Sequence, residues 1–142
     1  MDDDIRLLNA IIKNTEMGTS SLEQILDATE NEAFKSSLQI QQKGFSQLKQ
    51  EASQALAMRG AEPEGTGVLA KLGSTMSIAG KTMMDNSTRH LADMLIQGSS
   101  MGTIDCVKAM RDNPKASAEV QSLAKRLEEF EQRNVEELKS FL

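Results

Sequence analysis

The chain has 142 residues, with 16 basic and 21 acidic side chains for a formal net charge of −5, and it contains no Trp or Tyr, four Phe, two Pro, one Cys and one His. That length suits one domain, 1–142, and the lack of aromatics suits a helical bundle better than a β-sandwich. The acidic balance argues against phosphate backbones and anionic membranes as partners, and one His with one Cys excludes any metal site needing several nitrogen or sulfur ligands from one chain.

The first element is a helix over about 3–28. Ile5, Leu8, Ile12, Thr15, Thr19, Leu22 and Leu26 recur at alternating steps of three and four, and the stripe keeps its register through Gly18. Asp2, Asp3 and Asp4 stand at its start, where carboxylates favour the positive end of the helix dipole. Thr29-Glu30-Asn31-Glu32 has the form of a capping box opening a second helix, striped by Phe34, Leu38, Gln41, Phe45, Leu48, Ala52 and Ala55 and stopped at Gly60. So short a connection makes the two helices an antiparallel hairpin.

Gly60 to Gly67 reads as a loop. A shorter helical segment is expected over about 67–84, with Val68, Leu69, Leu72, Met76, Ile78 and Met83 as apolar contacts. Asn86 or Ser87 then caps a third long helix to about 111, carrying Leu91, Met94, Leu95, Met101, Ile104, Val107 and Met110. Asn113-Pro114 signals the restart into a fourth, striped by Ala116, Val120, Leu123, Leu127, Phe130, Asn134, Leu138 and Phe141. The fold class is therefore all-α: two antiparallel helical hairpins joined by a long crossover that contains a short extra helix.

This plan, together with Gly60-Ala61-Glu62-Pro63-Glu64 and the following Gly67-Val68-Leu69-Ala70-Lys71-Leu72, resembles the small bacterial ferritin-like domains of unknown function, within the ferritin-like superfamily. The resemblance implies a four-helix bundle and raises the question of a dinuclear iron site. Such sites take a Glu from each of two helices and Glu-x-x-His from the other two, all projecting inward. Here the first helix offers Glu16, beside Thr15. The second offers only Gln39-x-x-Gln42 or Gln41-x-x-Gly44, and the third has Gln97, Ser99 and Ser100 where a carboxylate is wanted. The fourth offers Glu131-x-x-Asn134 or Glu129-x-x-Gln132, without His. Amides bring no charge to offset the cations, so no metal and no cofactor are expected.

A polar belt remains near mid-helix: Thr15, Thr19, Gln41, Gln97 and Asn134. One reading makes it the remnant of a metal site, re-used for a small polar ligand. The commoner arrangement is a buried, hydrogen-bonded layer that sets helix register.

Other signals are weaker. Gly80-Lys81-Thr82 lacks the glycine five residues earlier that a phosphate loop requires, Thr75 standing there, and no strand precedes it. His90 and Asp93 are one turn apart, and a solvent-exposed polar pair is the usual outcome near a helix start. Cys106 has no neighbouring His or basic pair to activate it and reads as a packed thiol in a reducing compartment. Gly98 and Gly102, four apart, suggest either close approach of another helix or a kink. Residues 35–81 carry three acids and six bases, but these are dispersed and no Trp or Tyr is interleaved, so nucleic-acid binding is not expected. The acidic start and the absence of any long apolar run lead to the expectation of a cytoplasmic protein.

The expected function is that of a non-catalytic, structural or protein-interaction module, not an enzyme. The alternatives are a metal-dependent oxidase or iron-handling protein with an atypical site, and a binder of a small polar ligand. A homodimer is also expected, with Met76, Ile78, Met83 and Met84 at or near its interface, because the crossover has more apolar side chains than one face can bury.

Overall fold

In the computed structural model, which describes residues 2–64 and 85–142, four helices carry the fold: α1 (Asp3–Ala28), α2 (Glu32–Met58), α3 (Thr88–Asp112) and α4 (Ala118–Lys139). No strand occurs among the described residues. The segment expected to form the extra crossover helix, with Met76, Ile78, Met83 and Met84, lies outside the described residues.

Local chemistry explains most of the boundaries. The Asp2 carboxylate accepts from the Asp4 N–H at 2.7 Å and caps α1, which runs through Gly18 unbroken. The turn into α2 is capped differently from the expected box. Asn31 is the N-cap, its side chain accepting from the Phe34 N–H at 2.9 Å, while Thr29 ends α1 and its buried hydroxyl accepts from the Asn31 N–H. The hydroxyl thus organises the link, and the amide two residues on starts the helix. Gly60 ends α2 with φ +71°, a left-handed conformation for which glycine is best suited. Ser87, one of the two expected caps, opens α3.

The restart at Asn113-Pro114 needs a larger correction. Helix α4 begins only at Ala118, capped by Ser117, so Ala116 precedes the helix. The reason is tertiary. The Lys115 N–H donates to Asp3 at 2.8 Å and the Ser117 N–H to Asp4 at 2.6 Å, while Asn113 accepts from Arg6 at 2.9 Å. Groups that would otherwise enter a first helical turn are held by the start of α1. The acidic triplet is therefore a clamp as well as a dipole partner, with Arg59 donating to Asp4 at 3.0 Å and Arg6 paired with Asp3.

These contacts set the chain directions. Helices α1 and α2 form one antiparallel hairpin and α3 and α4 the other, with α1 against α3 and α2 against α4. The end of α3 meets the start of α1 through Arg6 and Asn113, and α2 ends beside the same place through Arg59 and Asp4. Since α3 is 25 residues long, its start lies about 37 Å away by helical rise, at the opposite end of the bundle from the end of α2. One apolar core draws on all four helices. The four Phe form two edge-on pairs between the hairpins: Phe34–Phe141 at 5.0 Å and Phe45–Phe130 at 4.9 Å. No described helix is long and apolar enough to cross a membrane.

Candidate functional site

Between α1 and α3 the bundle stays open. Ala10, Asn14, Gly18 and Ser21 on α1 face Gly98, Ser99 and Gly102 on α3, and short side chains on both walls leave a cleft of about 640 Å³. Its floor comes from the other two helices. Gln41 and Phe45 of α2, four residues apart, share one inward face, as do Leu127 and Glu131 of α4. Gly18 matters to this floor because a Cβ there would lie 2.6 Å from the Phe45 ring. Lys13, Met17, Met101 and Asp105, all exposed, also line the cleft and form its mouth.

Glu131 is the chemically distinctive group. It is only 3% exposed and no cation is paired with it among the described residues. Gly102 makes room for it: a Cβ there would collide with the carboxyl. Asn14 donates to the Gly102 carbonyl at 2.9 Å and also to the Glu131 carboxyl, joining α1, α3 and α4 at one point. Burial pushes the Glu131 carboxyl up to about 8; the Asn14 hydrogen bond opposes that rise and the Asp105 charge adds to it. Its Oε2 has no hydrogen-bond partner, and neither has the Nε2 of Gln41, which is 4% exposed. Two buried polar groups of opposite hydrogen-bonding character therefore border one largely apolar space. A buried polar atom left unpaired costs about 1–3 kcal/mol.

The expected polar belt comes together only in part. Thr15 is buried, but its hydroxyl donates back to the Ile11 and Ile12 carbonyls within α1, as Thr19 does to Thr15. Gln41 and Asn134 are buried, and the Asn134 Nδ2 also lacks a partner. Gln97 lies outside the core: it is exposed and donates to Asp93 at 3.1 Å. The belt is not a hydrogen-bonded layer linking the helices, because the two threonines already have acceptors one turn behind them. Asp93 is thereby engaged with Gln97, and His90 instead lies 4.0 Å from Asp85. Glu16 faces α2, 3.3 Å from Lys49. At Gly102 the near neighbour is the Glu131 carboxyl of α4, while Gly98 has nothing within 4 Å and opens the cleft wall.

Reading the sequence placed Phe130 on the inward stripe of α4 and left Glu131 among the metal candidates. The structure buries Glu131 and leaves Phe130 partly buried. Steps of four and three from Leu127 through Glu131 to Asn134 satisfy helical periodicity as well as the stripe through Phe130, so the signal was present but not unique.

Cys106 also borders the cleft, but its thiol donates to the Ala124 carbonyl at 3.1 Å, and burial, with the charges of Glu131 and Glu128, pushes it up to about 12. It is a packed group and not a nucleophile. The residues do not fit a dinuclear metal centre. Among the described residues no three His, Cys, Asp or Glu side chains converge, Glu131 is the carboxylate in the cleft floor, and Asn134 stands where His would be needed. Comparison of the chain with family models, curated proteins and solved structures gives no match.

Proposed function

We propose that this chain is a non-catalytic, ferritin-like helical bundle that acts as a small-molecule-binding module through the cleft between α1 and α3. The observation that carries the reading is a mostly apolar cleft of about 640 Å³ whose lining includes the buried side chains of Glu131 and Gln41. Ligand sites in proteins are typically of this size, mostly apolar, with a few polar groups that fix orientation. The ferritin-like part of the proposal is supported by two antiparallel hairpins, with the end of α2 and the start of α3 at opposite ends of the bundle. The homodimer stays within the proposal on the apolar content of 68–84 alone, and light scattering at high micromolar concentration tests it.

The direct test uses N-phenyl-1-naphthylamine, an uncharged fluorophore that brightens in apolar surroundings. Native protein should bind it saturably, one per chain, and should melt at a higher temperature in its presence. A Cβ at Gly98 meets nothing within 4 Å, so Gly98→Leu should keep the fold while it fills the open wall and abolishes binding. Failure of the native protein to bind, or unchanged binding by Gly98→Leu, would remove the cleft as the site.

A further inference from the structure

We propose that a second copy of this chain docks on the face between α1 and α3, the α1 edge of each copy lying along the α3 edge of the other about a two-fold axis parallel to the bundle, so that each copy closes the other's cleft mouth. This contact uses no residue of 68–84, and it stands whether or not the cleft takes a small molecule.

Three of the six large apolar side chains exposed among the described residues lie on this face: Met17 on α1, and Met101 and Ile104 on α3. Helix α3 is also the least covered of the described helices, with only Leu91, Ala92, Leu95 and Cys106 buried along 25 residues. Exposed apolar surface of this kind marks a protein contact. The charges beside it favour a second copy. Asn14 donates to the Gly102 carbonyl and Arg6 to Asn113, which sets the register of antiparallel α1 and α3. Counting away from those contacts, Lys13 stands level with Asp105 and Met17 with Met101, each to within about one turn. All four line the mouth of the cleft, and on each helix the charge and the methionine are four residues apart. One edge therefore carries a cation and a methionine, and the other an acid and a methionine at the same spacing. Lys13 and Asp105 are exposed, and neither has an ion-pair partner among the described residues.

A half-turn about the bundle direction exchanges the two edges and keeps their levels. Each Lys13 then meets the partner's Asp105, and each Met17 the partner's Met101, so one sequence supplies both halves of two ion pairs. The thioethers, which adapt to irregular surfaces, fill the turn beside each pair. Lys108, the next exposed charge on the α3 edge, stands level with Ala10 and meets no like charge. An axis across the bundle would instead lay α1 on α1 and α3 on α3, setting edges of the same sign together.

Light scattering and sedimentation equilibrium at high micromolar concentration test the contact, and the native protein should be a dimer. Lys13→Glu and Asp105→Lys each set like charges opposite one another twice per dimer, and each should weaken association by about tenfold or more. Both positions are exposed, so circular dichroism and the melting temperature should match the native protein and report an intact fold. The two variants mixed in equal amounts should recover association to within about threefold of native, because in the mixed pair both contacts again join opposite charges. A chain carrying both reversals should do the same. A native protein that stays monomeric would leave this face to another partner and overturn the proposal. Single variants that dimerise as well as native would move the contact to another surface, and a mixture no more associated than its components would show that the two edges do not meet; either result overturns it.

Discussion

The carboxyl of Glu131 occupies the place where a side chain at Gly102 would begin, so a glycine on α3 is the condition for an acid on α4 to be buried. Gly102→Ala should force that carboxyl to shift, which offsets the helix-propensity gain of up to about 1 kcal/mol that an alanine brings. Gly98→Ala meets no neighbour and removes a mid-helix glycine, so it should stabilise by up to about 1 kcal/mol. Urea unfolding should show a larger gain for Gly98→Ala than for Gly102→Ala if this geometry is right.

The buried acid also makes stability depend on pH. Below its ordinary value of 4.5 the Glu131 carboxyl is protonated in both folded and unfolded chains; between there and about 8 only the folded chain keeps the proton. Its contribution is therefore fully present in acid and is lost as pH rises through that window. Glu131→Gln should remove most of this slope and be the more stable protein at pH 8. Urea midpoints at pH 5, 6, 7 and 8 measure both effects.

The acidic start of α1 works in the opposite sense. The Ser117 N–H, and then the Arg59 guanidinium, hold the Asp4 carboxyl below its usual range. A lowered carboxyl contributes stability above its unfolded value and loses it as pH falls through the folded one. Asp4→Ala should cost about 1.5–3 kcal/mol at pH 7, the scale of a hydrogen bond to a charged group. The deficit should shrink below pH 3, and thermal melts across that range check it.

Cys106 should resist thiol reagents in the folded protein. Its burial, its hydrogen bond to Ala124 and a thiol pushed up to about 12 leave almost no thiolate at pH 8. Labelling by 5,5′-dithiobis(2-nitrobenzoate) should be at least a hundredfold slower than in urea and should follow the opening of the fold. Fast labelling of folded protein would place the thiol at the surface.

The sequence by itself determined the four described helices and the two hairpins, because these follow from local rules: a repeat of three and four, caps at Ser87 and Gly60, and links too short to let neighbouring helices run parallel. The start of α4 was beyond its reach, since the N–H groups of Lys115 and Ser117 are held by acids more than a hundred residues away in the chain. The tertiary structure alone brought Glu131 into the interior alongside Phe130, whose ring packs edge-on against Phe45. Both satisfy helical periodicity on α4, and only the missing side chain at Gly102, together with the amide of Asn14, makes room for the acid. The same holds for the belt. Thr15 and Gln97 occupy similar positions in pattern, yet a threonine can return its hydroxyl to its own helix while an exposed glutamine turns to Asp93. Periodicity reports which residues share a face; which face is sealed and which stays open depends on the side chains of the helix opposite.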